Sequence, residues 1–370
     1  MSYLRRSLRR TAVVAAVLGT CATVLPAAAA TGGYRARTER VSVAAGGAEA
    51  DGESGQGKIS GDGRVVVFSS GAGNLIPGDS RKGGLFVKEL RTGRMERVAV
   101  ATDGTPADGS VRDAAVSGNG RYVVFSSDAT NLVPGGNPTG STEVYVRDRW
   151  TRRTEILIED PKQSRVETSE PSISADGSRI GFKSTATNLI PQTSADKDLQ
   201  ARPRARVFYA HELRTGRTEL AAHSLTGSKV AVLTDIVADD TNHTTDAFAT
   251  DLRTGVTRRL SVAAGGAEAD GMSYGHVAMS ADNRYAFFTS AASNLVPGDT
   301  NGKEDVFVRD LRTGAMKRVN VASDGTQANE FTLNFGVDLS GRTAVFDSAA
   351  GNLVPKDTNC GSDVFLRHLR

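Results

Sequence analysis

The sequence is poor in the residues that make covalent or metal cross-links. It contains two cysteines and five histidines in 370 residues. Cys21 lies in the leader described below, which leaves Cys360 in the mature chain, and a single thiol forms no internal disulfide. The histidines show no metal-ligand spacing, which argues against a zinc centre. We therefore expect the hydrophobic core alone to stabilise the fold.

Aromatic residues and helical periodicity are also scarce. Aromatics make up 6% of the chain, with one tryptophan, whereas there are 40 glycines. No segment of about twelve residues keeps a 3.6-residue apolar period, which excludes a helical fold. Short apolar runs such as residues 65–68 and 306–308 lie between turn residues. Such runs are typical of strands buried on both faces, so we expect an all-β protein.

The one extended apolar stretch lies at the start of the chain. Residues 1–30 combine four arginines, an apolar run over 11–25 and a small-residue site ending at Ala30. This order is typical of a secretory signal peptide, and the run is too short to span a membrane. We predict a signal peptide over 1–30, a linker over 31–37, and a domain over 38–370. The mature protein is expected to be secreted or held in the periplasm or cell envelope, without a transmembrane span.

The leader accounts for the positive charge of the chain. The whole sequence has a formal charge of +3, and removing the four leader arginines, which no acidic residue accompanies, leaves −1. A near-neutral mature domain lacks the basic surface that nucleic-acid binding requires. We predict no nucleic-acid partner.

Six copies of one pattern fill residues 38–370. Each copy has a small-residue turn, an apolar strand, in most copies Asn-Leu-Val/Ile-Pro, a polar loop and a second apolar strand. The turns follow one another at intervals of 50 to 58 residues, and such self-similarity marks a solenoid or a propeller. The six turns are Asp62-Gly63, Asn119-Gly120, Asp176-Gly177, Thr226-Gly227, Asp282-Asn283 and Ser340-Gly341.

The third copy carries a family resemblance. Residues 174–182 (SADGSRIGF), 207–209 (VFY) and 213–216 (LRTG) resemble the TolB-type propeller repeat, and also repeats in the propeller domains of prolyl-oligopeptidase-like enzymes. The resemblance implies a six-bladed β-propeller with four antiparallel strands in each blade. The extra N-terminal domain of TolB and a hydrolase domain have no counterpart in this sequence.

The two ends of the domain predict how the ring closes. Residues 38–43 match the outer strands at 96–100 and 317–321, whereas the chain ends directly after a third strand. Pairing residues 40–43 with 364–369 would complete the last blade and remove two open sheet edges.

Strand order places the long polar loops together on one face, which we call the long-loop face: the loops between the second and third strands, and the loops between blades. The fourth copy is too short for four full strands, and a long charged loop over 192–206 precedes it. We predict a binding surface there, with a tolerated surface insertion as the alternative. Its residues are Asp196, Lys197, Asp198, Arg202, Arg204, Asp239 and Asp240.

A short acidic motif, D-T-N-x-x-x-D, recurs on these loops. Hard oxygen ligands at this spacing suit calcium, and the alternative is an Asx-type turn in which the carboxylates bond loop amides. The candidate ligands are Asp299, Asn301 and Asp305; Asp357, Asn359 and Asp363; and Asp240, Asn242 and Asp246.

No catalytic motif accompanies these features. The sequence has no Gly-x-Ser-x-Gly elbow, and nothing near Cys360 activates its thiol. We predict a monomeric, exported binding or scaffolding module for a protein or a cell-envelope polymer, with no cofactor unless calcium binds. One alternative is a lyase or glycosidase that uses carboxylates at the central funnel. The other is a calcium-stabilised structural protein.

Overall fold

The computed structural model describes residues 36–79, 81–158, 167–186, 189, 207–220, 229–234, 241–251, 253–359 and 361–369, and these ranges contain strands and no helix. Accordingly, no described segment could cross a membrane as an apolar helix. The strands are β1 (Arg37–Arg40), β2 (Ser54–Ile59), β3 (Val65–Ser70), β4 (Gly84–Glu89), β5 (Met95–Arg97), β6 (Val111–Val116), β7 (Tyr122–Ser127), β8 (Glu143–Asp148), β9 (Arg153–Ile156), β10 (Thr168–Ile173), β11 (Arg179–Ser184), β12 (Val207–Glu212), β13 (Arg217–Leu220), β14 (Lys229–Thr234), β15 (Asp246–Asp251), β16 (Thr257–Arg259), β17 (Ser273–Met279), β18 (Tyr285–Ser290), β19 (Asp305–Asp310), β20 (Met316–Arg318), β21 (Thr332–Val337), β22 (Thr343–Ser348) and β23 (Asp363–His368).

The strands form antiparallel sheets in a propeller arrangement. Blade 1 is β2-β3-β4-β5, blade 2 is β6-β7-β8-β9, blade 3 is β10-β11-β12-β13, blade 5 is β17-β18-β19-β20, and blade 6 is β21-β22-β23-β1. The innermost strands β17, β21, β2, β6 and β10 contact one another in that series. The first strand of each blade therefore faces a common centre, and the last lies at the rim.

The expectation of six four-stranded blades is wrong, because the described chain has five. Strands β14-β15-β16, which we call sheet 4, form a three-stranded sheet that lacks an innermost strand among the described residues. Only residues 221–228 separate β13 from β14, too few for a further strand with its two turns. The predicted shortage of chain in the fourth copy is the physical reason.

The apolar runs become the second and third strands, which are buried on both faces. Each blade pairs aromatic rings across these strands; the ring centroids of Phe68 and Phe86 lie 6.0 Å apart, and those of Phe346 and Phe365 lie 5.7 Å apart. Neighbouring blades bury these faces against each other, with β2 packed on β22 and β3 on β6. This burial explains why the strands read as continuous apolar runs.

The first strand closes the last blade, as the two chain ends predict. Strand β1 pairs antiparallel with β23, from Arg37 opposite His368 to Arg40 opposite Phe365. The Val41 amide continues the pairing by donating to the Val364 carbonyl at 2.7 Å. The ladder thus begins a few residues earlier on β1 than the sequence indicated.

Asparagine side chains join the two loop classes on the long-loop face. In blade 1 the Asn74 amide donates to the Glu49 carbonyl at 2.7 Å, and its Oδ1 accepts from the Asp51 amide at 3.2 Å. Asn131, Asn294 and Asn352 make the equivalent pair of bonds in blades 2, 5 and 6. The recurring Asn-Leu-Val/Ile-Pro segment therefore fixes the loops that surround the site described next.

Candidate functional site

An open groove of about 810 Å³ crosses the long-loop face above blade 1, and we call it the blade 1 groove. Its outer end is lined by Lys82 and Arg97, and its inner end by Gln56, Asn334 and Asp347. Between these ends the wall consists mainly of small polar residues and exposed backbone. These are Ser54, Gly55, Ser69, Ser70, Gly71, Gly83, Gly84, Gly109, Ser110 and Ser362.

The groove ends where the innermost strands are irregular. The register of each innermost strand shifts within the strand, as it does between Gly55 and Lys58 in β2 and between Thr332 and Phe335 in β21. Gln56 and Glu170 lie in these bulges with φ of 57° and 49°, a costly conformation for residues other than glycine. Bulges that re-aim side chains are typical of the surroundings of functional sites.

Asp347 is the most unusual side chain at the inner end. It is 3% exposed, and its Oδ2 accepts a hydrogen bond from the Asn334 amide at 3.0 Å. Within the described residues its Oδ1 has no hydrogen bond of normal geometry. Burial raises the pKa of Asp347, against the opposing effects of Asn334, the Gln56 backbone amide and Lys58. A buried carboxylate oxygen without a partner is costly unless something else binds it.

Lys58 faces the same seam between blades 1 and 6. Its ammonium donates to the Phe335 carbonyl at 3.2 Å. Burial lowers the pKa of Lys58, and the charges of Asp347 and Asp113 oppose that effect. The desolvated acid and the desolvated base thus shift towards each other, an arrangement found where proton transfer takes place.

Asp347 stands at a position that varies between blades, which we call the inner ring position: the fifth residue of the second strand. In blade 3 this residue is Lys183, which pairs with Glu170 of the bulge at 2.5 Å. The flanking Phe and Ser are constant, so only this residue changes along an otherwise repeated strand. The set is Ser69, Ser126, Lys183, Thr289 and Asp347. Sequence reasoning missed it, although comparing the copies column by column would have revealed the variation.

Apolar side chains are exposed beside the same end of the groove. Leu333, which lines the groove, is 62% exposed, and Phe331, Met272 and Tyr274 are exposed as well. Thr332 and Ser273 between them are buried, so each pair projects on one side of its strand. The four residues lie at the start of the innermost strands of blades 5 and 6, and those strands contact each other. We call them the apolar rim.

The predicted binding residues cannot be placed. Asp196, Lys197, Asp198, Arg202, Arg204, Asp239 and Asp240 all lie outside the described residues. The groove occupies the predicted face, but it lies above blades 6, 1 and 2 rather than beside sheet 4.

An arginine lies between the carboxylates of the predicted calcium motif. In blade 5, Arg318 contacts Asp299 at 3.1 Å and Asp305 at 3.0 Å. In blade 6, Arg40 contacts Asp357 at 3.1 Å and Asp363 at 3.3 Å. In sheet 4, Arg259 contacts Asp246 at 3.3 Å, and Asp240 lies outside the described part. The described residues contain no cluster of three or more His, Cys, Asp or Glu side chains arranged for a metal.

The asparagine of each motif makes the expected turn. The Oδ1 atoms of Asn301, Asn359 and Asn242 accept from the backbone amide two residues further on, at 3.1, 3.1 and 2.9 Å. This is the Asx turn that the sequence left open as the alternative. The last Asp of the motif bonds the arginine rather than a loop amide.

No protein-family model and no curated protein matches the chain. Among solved structures it is similar to the oligogalacturonate lyase of Vibrio parahaemolyticus, at 8% identity over 90% of this chain and 93% of that one, with a TM-score of 0.49. It is similar to TolB from Acinetobacter baumannii at 12% identity, over 88% and 81% of the two chains, with a TM-score of 0.39. It is also similar to the β-propeller domain of the Trilobed protease from Pyrococcus furiosus at 13% identity, over 80% and 77%, with a TM-score of 0.38. These likenesses extend no further than the β-propeller fold.

Proposed function

We propose that this protein is an exported binding module that takes a polar ligand, a segment of a protein or of a cell-envelope polymer, in the blade 1 groove. The observation that carries the proposal is the open groove with the buried Asp347 at its inner end, one oxygen of which lacks a hydrogen bond of normal geometry. A concave site with a few converging polar groups is the usual form of a ligand pocket. The leader over 1–30 supports export, and no described residue argues for an oligomer or a cofactor.

Filling the groove is expected to abolish binding. Ser110 is exposed at the groove wall, and its hydroxyl makes no hydrogen bond that the fold requires, so Ser110→Trp places a large ring in the cavity. Retention of the mature protein on insoluble cell-wall polymer, and on immobilised peptides, should fall by about tenfold or more, a loss of about 1.4 kcal/mol. Thr313→Trp, on an exposed tight turn of the opposite face, is the matched control. Equal retention of both variants would exclude the groove as the contact.

A second candidate function is a lyase or glycosidase acting at the inner end of the groove. It is favoured by the convergence of the Asp347 and Lys58 pKa values, which suits an acid and a base. If the pair is catalytic, the wild-type protein releases new reducing ends from a polysaccharide, and Lys58→Met reduces the rate by about 100-fold or more. Polymer that is bound but not shortened by the wild-type protein would leave the binding function and remove the enzyme.

A further inference from the structure

We infer that the ligand of the blade 1 groove is an uncharged saccharide chain, whose hydroxyls bond Asp347 and whose apolar sugar face lies on the apolar rim. This inference rests on the proposed binding function and narrows its ligand class. Two independent features carry it: the hydrogen-bonding groups at the inner end of the groove, and the exposed apolar side chains beside them.

The polar groups of the groove match hydroxyl groups. The Oδ1 of Asp347 accepts from a hydroxyl, and the Ser54, Ser69 and Ser110 side chains both donate and accept. Glycines at 55, 71 and 109 leave the backbone open, so that a flat ring can approach it closely. A ligand with many hydroxyls can satisfy such a wall, whereas a peptide offers fewer side-chain donors per unit length.

The apolar rim matches the other surface of a sugar ring. Phe331 and Tyr274 supply exposed aromatic rings on adjacent innermost strands, and Leu333 extends the surface into the groove. Leu333 precedes Asn334, the residue that bonds Asp347. The carboxylate and the apolar surface therefore lie within one or two residues of each other, close enough for a single sugar to meet both.

The charge of the groove argues against an acidic saccharide. Its lining includes three carboxylates, those of Glu53, Asp108 and Asp347. Of its two cations, Arg97 is already paired with Asp79 at 2.9 Å, which leaves Lys82. A uronate chain would bring further negative charge to this surface, and like charges placed together reject a ligand.

The test measures binding of defined oligomers to the mature protein by calorimetry. The probes are hexamers of glucose, of N-acetylglucosamine and of galacturonate, together with an immobilised peptide library. We expect at least one neutral hexamer to bind, and galacturonate to bind about tenfold more weakly or not at all. Asp347→Asn should weaken the neutral hexamer about tenfold, because a hydroxyl bonds a carboxylate about twice as strongly as a neutral acceptor. Phe331→Ala should weaken it about fivefold.

Two control variants make the same chemical changes on the opposite face. Asp176→Asn alters a tight turn in which another copy, at Asn119, already carries asparagine, and Leu339→Ala removes an exposed apolar side chain. Neither should change the affinity. If no neutral hexamer binds but peptides do, and Ser110→Trp blocks them, the saccharide inference is overturned while the binding function stands. If Ser110→Trp leaves all retention unchanged, both fail.

Discussion

Replacing Arg40 by alanine is expected to lower the free energy of unfolding by about 3–5 kcal/mol. Arg40 is buried on the closing strand β1, where it contacts Asp357, Asp363 and Glu49 at 3.1, 3.3 and 2.5 Å. Its removal would leave the fully buried Asp363 without a cation, in a place that water reaches poorly. The same substitution loosens the only strand that joins the start of the domain to its end. Urea unfolding followed by circular dichroism measures the change.

The matched control is Arg37→Ala on the same strand. Arg37 is exposed and pairs with the exposed Glu39 at 3.4 Å, so its removal should cost less than about 0.5 kcal/mol. Equal losses in the two variants would show that the strand, and not the buried ion cluster, determines the stability of the closure.

Calcium provides a further contrast. In the wild-type protein the guanidinium of Arg40 lies among the carboxylates, so excess calcium should leave the melting temperature unchanged. In Arg40→Ala the same three carboxylates have no cation, and calcium should raise the melting temperature. A calcium response in the wild-type protein that equals that of the variant would favour the metal interpretation of the acidic motif.

The closing strand and the blade interiors could be predicted because they follow from local pattern. The match of residues 38–43 to the outer strands is enough to pair β1 with β23, and continuous apolar runs are enough to bury β3 and β22 on both faces. The four-strand count failed in one copy because residues 221–228 are too few for an extra strand.

The site could not be predicted because its residues are special only in three dimensions. The motif Asp357-x-Asn359-x-x-x-Asp363 indicates a bound cation correctly, but the cation is Arg40, more than 300 residues away in sequence. Asp347 follows an ordinary apolar strand, and nothing in its own neighbourhood shows that the bulge at Asn334 brings it to the end of a groove. Comparison of the copies is the only sequence signal for it.

Replacing Asp347 by serine, the residue that blades 1 and 2 carry at the inner ring position, is expected to stabilise the protein by about 0.5–2 kcal/mol at pH 7. The substitution restores the repeat consensus and removes a buried carboxylate whose Oδ1 lacks a hydrogen bond of normal geometry. The same variant should bind the groove ligand more weakly. Thr289→Ser, at the same position of blade 5, is the control and should change neither stability nor binding.

The pH dependence identifies the cause of this gain. Because burial raises the pKa of Asp347 in the folded state, its contribution to stability is complete below the unfolded value of 3.8 and is lost as the pH rises through the folded pKa. Serine does not titrate, so the advantage of Asp347→Ser should be small at pH 4 and should grow towards pH 7. A gain that is the same at both pH values would assign it to packing rather than to the charge. A residue that reduces stability only when it is ionised, and that strengthens ligand binding in the same state, has the properties expected of a functional group kept at the expense of the fold.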